Sequence, residues 1–132
     1  MGSYRLIDNE RQPILEAGPG SRIRVLAGAS NGATCMAVVE RWLDPGAEVA
    51  QHRHPAGIEE VIWIRSGRAE FLVDGEQAEV GPDHTVVIAP LSRHGFRSVG
   101  VEPLSLFSRY SAATPTVIAD DGTEGGSEIP GI

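Results

Sequence analysis

From residue 21 onward, short stretches rich in Val, Ile, Leu, Phe and Trp recur, separated by Gly, Pro, Asp and Asn. That punctuation leaves no room for a long helix. No window beyond about ten residues carries apolar side chains at i, i+3, i+4 and i+7. Many short strands joined by regular turns close instead into a sandwich or a barrel. The expected strands are Arg22–Ala27, Thr34–Leu43, Val49–His54, Glu60–Ile64, Ala69–Val73, Gln77–Val80, Thr85–Ile88, Gly95–Val99 and Leu104–Tyr110. Asp74-Gly75, between two of these runs, is the strongest hairpin signal of short range. Asn31-Gly32, Asp44-Pro45-Gly46, Ser66-Gly67 and Gly81-Pro82-Asp83 supply further breaks. The expected fold class is all-β.

The 132 residues suffice for one domain but not for two. Residues 1–20, with Pro13, Gly18, Pro19 and Gly20, read as an N-terminal arm with room for one short strand. Residues 21–110 hold the β domain. Residues 111–132 carry Asp120, Asp121, Glu124 and Glu128 with no basic residue and several Gly and Pro. They are expected to form an acidic, loosely ordered tail, or alternatively to pack Ile129 to Ile132 onto a neighbouring subunit.

Charge and missing residue types narrow the chemistry. A net charge of −7 argues against nucleic acid as a partner, because phosphate binding wants a basic face. All eleven basic residues are arginines, which excludes lysine Schiff bases and lysine-dependent phosphate loops. Cys35 is alone, so neither an internal disulfide nor a multi-cysteine zinc site can form. With Met36 it falls in an apolar run and reads as core. A Gly-x-Ser-x-Gly elbow is absent, which disfavours a serine hydrolase. No apolar run approaches the roughly 18 residues of a membrane helix, and the start lacks a signal-peptide pattern. A cytoplasmic protein without membrane partners is the expectation. Histidine and carboxylate remain.

Two of the four histidines stand in His52-Arg53-His54-Pro55-Ala56-Gly57-Ile58, followed directly by Glu59-Glu60. On a strand, residues two apart share a face, so His52 and His54 can aim at one point while Arg53 faces away. Pro55 and Gly57 supply a bend that returns the chain beside the first strand. Imidazole nitrogen with carboxylate oxygen suits divalent first-row metals. His94 ends a second segment, Thr85-Val86-Val87-Ile88-Ala89-Pro90-Leu91-Ser92-Arg93-His94. His84 falls in the turn after Gly81-Pro82-Asp83 and reads as surface. The aromatic residues Trp42, Trp63, Phe71, Phe96 and Phe107 read as core first.

These segments resemble the two motifs of the cupin superfamily, in its small single-domain form. Gly46, five residues, His52-Arg53-His54, a glutamate and Gly67 follow the first motif. Ala89-Pro90-Leu91-Ser92-Arg93-His94 occupies the centre of the second, with Leu91 where a glycine is expected and Ser98 where an asparagine is expected. The resemblance implies a double-stranded β-helix, the jelly-roll barrel. It also implies a metal held by His52, His54, His94 and a glutamate. The spacing is off by one: Glu59 suits the distance from His54, Glu60 the distance to Gly67. A loop at 55–58 absorbs an extra residue more cheaply than a strand does, since one slip turns every side chain over. Register therefore favours Glu60, with Ile62 and Ile64, on the inner face, and keeps Glu59 as the alternative.

Four filled positions would close tetrahedral zinc, whereas an octahedral ion keeps two open. Mn, Fe, Co or Ni is the expected cofactor, with Zn a further occupant. The reading this favours is an oxygenase of the dioxygenase type acting on a small oxygen-bearing molecule. Its alternatives are a Lewis-acid isomerase, decarboxylase or lyase on the same site, and a non-catalytic module for a small ligand or sugar. Arg24, Arg97, Arg109 and Tyr110 are candidates for gripping an anionic substrate if they face inward. A homodimer is expected, with the arm covering an exposed sheet edge.

Overall fold

The computed structural model describes residues 3–127 and 129–132. Its strands are β1 (Ile14–Glu16), β2 (Ser21–Ala27), β3 (Ala37–Leu43), β4 (Glu48–His52), β5 (Glu60–Ser66) and β6 (Ala69–Val73). They continue with β7 (Glu76–Val80), β8 (Thr85–Ile88), β9 (His94–Ser98), β10 (Leu104–Tyr110), β11 (Thr116–Ile118) and β12 (Glu124–Ser127). Among the described residues the helical pieces are two short 3-10 turns, Asn9–Arg11 and Ala29–Asn31. No helix is long and apolar enough to cross a membrane. One antiparallel sheet runs β1-β2-β3-β10-β5-β8 and the other β4-β9-β6-β7, with β11 and β12 paired apart from both. This is the all-β jelly-roll expected from the sequence.

Alternation builds the core. Along β5, Glu60, Ile62 and Ile64 are buried while Trp63 is exposed, the period-two pattern of a strand with one buried face. β10 likewise turns Leu104, Leu106, Ser108 and Tyr110 inward, with Ser108 in register between Val39 and Ile62. The apolar residues fall into two clusters. One joins Leu43, Ile62, Ile64, Leu104 and Leu106 to Phe71 and Phe96, whose rings stack at 4.9 Å. The other gathers Ile23, Val25, Ala37, Val39, Tyr110 and Ile129. Each Val, Leu, Ile or Phe among them contributes about 1.5–3 kcal/mol by leaving water.

The turns obey their chemistry. Asp74 and Gly75 both take positive φ (48° and 85°) between the paired residues Val73 and Glu76, as a two-residue hairpin requires. Gly67, at φ 82°, brings its Cα against Pro103 and Leu104, and a Cβ there would lie 2.6 Å from the Pro103 carbonyl oxygen. Leu91 keeps the left-handed backbone, φ 67°, at the position where the motif expects glycine. The departure is one of side chain and not of conformation.

Several expectations need correction. β3 begins at Ala37 and not at Thr34: residues 29–36 form a 3-10 turn and a bend. Asn31 drives this, accepting from the Gly28 N–H at 2.9 Å and donating to Leu26 O, after which Gly32 turns the chain at φ 107°. Cys35 is consequently exposed and does not sit in the core. The segment from 111, expected as a loosely ordered tail, carries secondary structure. It forms the β11–β12 hairpin, exchanges backbone hydrogen bonds with Arg53, and buries Ile129 against its own chain. Arg93 holds Asp120 through two hydrogen bonds, and that donation, with the guanidinium's charge, keeps the Asp120 carboxyl below its ordinary range. The pair therefore persists above the normal carboxylate range and is lost only as pH falls through the lowered value. The arm contributes β1, which covers the β2 edge of its own sheet.

Two substitutions check the backbone reading by urea midpoints. Gly67→Ala combines a left-handed penalty of about 1–2 kcal/mol with a clash against backbone, and should destabilise by more than about 2 kcal/mol. Leu91→Gly should instead stabilise by about 0.5–1 kcal/mol, the same penalty removed less the entropy of glycine. A destabilised Leu91→Gly protein would refute the reading of that turn.

A candidate metal centre between the sheets

The site is assembled from both sheets. His52 ends β4 and faces His94, which opens β9. His54 follows two residues after His52, and Glu60 opens β5 in the other sheet. A bulge between Val49 and His52 sets two β4 residues against Gly95 alone. The extra residue lets Val49 and His52 both face inward although three positions apart. Only glycine fits opposite it, since a Cβ at Gly95 would lie 2.7 Å from Val49 O and 2.9 Å from Gln51 N.

The four side chains are buried, from 8% exposure at His52 down to 1% at His94. One ligand atom from each lies within 4.8 Å of the others. The three ring centroids are 4.4 to 5.3 Å apart. Glu60 Oε1 stands 3.2 Å from His54 Nε2 and 3.0 Å from His94 Nε2. Glu59 is exposed on the opposite face.

Backbone carbonyls fix the imidazoles from behind. His52 Nδ1 lies 2.7 Å from Ala50 O, His54 Nδ1 2.8 Å from Thr116 O, and His94 Nδ1 2.9 Å from Ser92 O. A carbonyl oxygen only accepts, so each Nδ1 carries a proton and each ring turns its Nε2 inward, where a neutral ring would present a lone pair. Lone pairs and a carboxylate oxygen converging at about 3 Å repel unless positive charge sits among them. A metal ion or added protons can supply it, and buried imidazole and carboxylate with carbonyl-anchored rings are what a divalent transition metal takes. The group could hold such an ion.

The other expected contacts divide. Tyr110 is buried with its ring edge-on to His54 at 5.4 Å, so it walls the site. Arg24, Arg97 and Arg109 do not face it. Arg24 pairs with Glu40 at 2.7 Å and lies over Trp42; Arg97 is exposed 3.4 Å from Glu70; Arg109 is exposed between Ser108 and Tyr110. Strand alternation turns each outward while its neighbours turn in. His84 is exposed in its turn. Sequence reading overlooked Arg41, which is 3% exposed, donates to Ser21 Oγ at 3.1 Å, and lines a cavity of about 540 Å³ with Gly18, Pro19, Ala47 and Val49. Counting back by two from Leu43 would have placed it inward.

The profile of the family described as "Cupin domain" matches residues 41–110. The Streptomyces cyaneus protein named polyketide synthase CurC is 32% identical over 91 residues, which cover 69% of this chain. The chain spans only 56% of that curated relative's length. Among solved structures, the chain is similar to an RmlC-like cupin from Shewanella frigidimarina at 22% identity and TM-score 0.72, over 84% of this chain and 93% of that one. It is also similar to the polyketide cyclase RemF from Streptomyces resistomycificus, at 19% identity and TM-score 0.71, over 85% and 81%. At these identities the structural likenesses speak to the fold.

Metal titration separates the two glutamates. Glu60→Gln should weaken Mn(II) or Ni(II) binding by more than about 100-fold, the upper end of losses caused by outer partners alone. Glu59→Gln should leave affinity unchanged. Equal effects of both would remove Glu60 from the site.

Proposed function

The chain belongs to the cupin domain family, and on that premise we propose that it is a metal-dependent enzyme acting on a small oxygen-bearing organic molecule. The supporting observation is the buried His52, His54, Glu60 and His94 group, with its ligand atoms within 4.8 Å. Held by these residues, a divalent ion would supply Lewis acidity toward a carbonyl or enol oxygen.

The residues of the chain do the rest. The carbonyls of Ala50, Thr116 and Ser92 hold the three rings so that no reorganisation is needed when charge develops on the substrate. Ile62 follows Glu60 inward and Phe96 follows His94, placing apolar groups beside the polar cluster. Tyr110 closes the side at His54. Such surroundings exclude water and strengthen every electrostatic contact within.

The reaction we favour is carbon–carbon ring closure or elimination on a compound bearing several carbonyl groups. Two relatives bear names from polyketide chemistry, one of them a cyclase, and ring closure of that kind needs no oxidant. Oxygen-dependent cleavage is the second reading, since a redox-active ion such as Fe(II), held by the same four residues, would supply that chemistry.

An assay under nitrogen distinguishes them. Protein reconstituted with Mn(II), Fe(II) or Ni(II) and offered an aromatic β-polyketone should turn over equally with and without oxygen, and His94→Ala should abolish turnover. Turnover coupled to oxygen uptake would establish the second reading instead. Metal-loaded protein that binds the polyketone without converting it would mark a binding module and sink both.

A further inference from the structure

Two arginines flank the inward histidines on the outward face: Arg53 between His52 and His54, and Arg93 just before His94. Both grip the same C-terminal segment. Arg53 N–H donates to Ile118 O at 3.0 Å, and Ile118 N–H donates to Arg53 O at 2.7 Å. Arg93 Nε and Nη2 reach the two Asp120 carboxylate oxygens at 2.7 and 2.6 Å. Thr116, at the start of the same segment, turns its carbonyl onto His54 Nδ1. Beyond the hairpin, Ile129 is 1% exposed and anchors the far end in the second apolar cluster.

We infer that residues 116–120 are a strap that belongs to the metal centre: its docking fixes the ring and tautomer of His54, and metal binding and strap docking stabilise each other. The inference rests on the metal reading of the site. A neutral imidazole without a fixed acceptor divides between two tautomers, and only the Nδ1–H form presents the Nε2 lone pair toward Glu60. The Thr116 carbonyl selects that form. The other two histidines take their carbonyls from two residues upstream, Ala50 and Ser92. His54 depends on a residue 62 positions away. Its orientation is therefore the one that chain connectivity alone does not secure.

Protection of a sheet edge does not account for this arrangement by itself. β4 is the outer strand of its sheet, and pairing Arg53 with Ile118 covers its end. Edge covering, however, requires neither a carbonyl on His54 nor a bidentate clamp from the residue before His94. The first bears on His54 directly, and the second holds the same segment against the residue next to His94. Coupling is reciprocal by thermodynamic necessity, so any factor that docking adds to metal affinity is returned by the metal to docking.

The test uses the full chain with Ni(II) as probe. Ile118→Pro removes the N–H that bonds Arg53 O, while Asp120→Asn weakens the outer clamp without touching the backbone. Competition against a chelator should show Ile118→Pro binding Ni(II) about 10-fold more weakly, within the range typical of lost outer partners. Asp120→Asn should shift in the same direction by less. Ni(II) should slow hydrogen exchange at the wild-type Ile118 amide. In metal-free protein, the His54 Nδ1–H should exchange slowly because it is bonded to the Thr116 carbonyl, and should exchange faster in Ile118→Pro. Unchanged Ni(II) affinity and unchanged exchange of that ring proton in folded Ile118→Pro would overturn the inference. Wild-type protein that takes up no Ni(II) would defeat the metal reading, and the exchange of the His54 ring proton would then decide the strap's part alone.

Discussion

Three hydrogen bonds from imidazole Nδ1 to backbone carbonyl govern this site. Each settles which nitrogen holds the proton, and so which one points inward. Burial makes the choice matter. In water an imidazole can turn freely and exchange its proton, but at 8% exposure or less every polar atom must be answered by a fixed partner. Convergence of the donors within 4.8 Å then concentrates lone pairs and one carboxylate at a point that favours positive charge. The barrel's contribution is rigidity: both sheets supply part of the set, and neither can move without carrying a ligand atom with it.

Much of this was legible because strands have a period of exact parity. His52 and His54 turn inward with Arg53 outward, and Glu60 is buried while Glu59 is exposed. Counting back from Gly67 identified which glutamate faces in although β5 shifts register against β10 at Arg65, because from Ile64 back to Glu60 its pairing with β8 and β10 is regular. The hairpin at Asp74-Gly75 was equally readable, because two consecutive left-handed residues admit few sequences. The two-sheet architecture followed from the same turns.

Parity also decides where the candidate arginines point. Arg24, Arg97 and Arg109 were plausible only while their faces were unknown, and each alternates with an inward neighbour. Arg41 was passed over although the same count places it inward. The bulge before His52 was harder to foresee: an extra residue shows only against its partner strand, and Gly95 is a weak hint taken alone. Cys35 left the core because Asn31 and Gly32 spend the preceding residues on a turn. Of these, the bulge alone depends on a segment distant in sequence, which composition and period do not encode.

The C-terminal segment is the sharpest case. Its acidity and its glycines suggested a loosely ordered tail, and both features are present in a segment that carries the β11–β12 hairpin. What orders it lies elsewhere: an open strand end at Arg53, a guanidinium at Arg93 and an apolar recess for Ile129. A weakly self-structured segment suits that role, since it gains its order from the elements it contacts. The alternation that sends His52, His54 and His94 toward one point sends Arg53 and Arg93 toward the strap, so the same strand geometry builds the site and its fastening. Leu91 belongs to this economy as well, holding a left-handed turn three residues before His94 without the glycine that would ease it. Strain of about 1–2 kcal/mol persists there only because the β8–β9 connection is fixed at both ends, one of them the strand that carries His94.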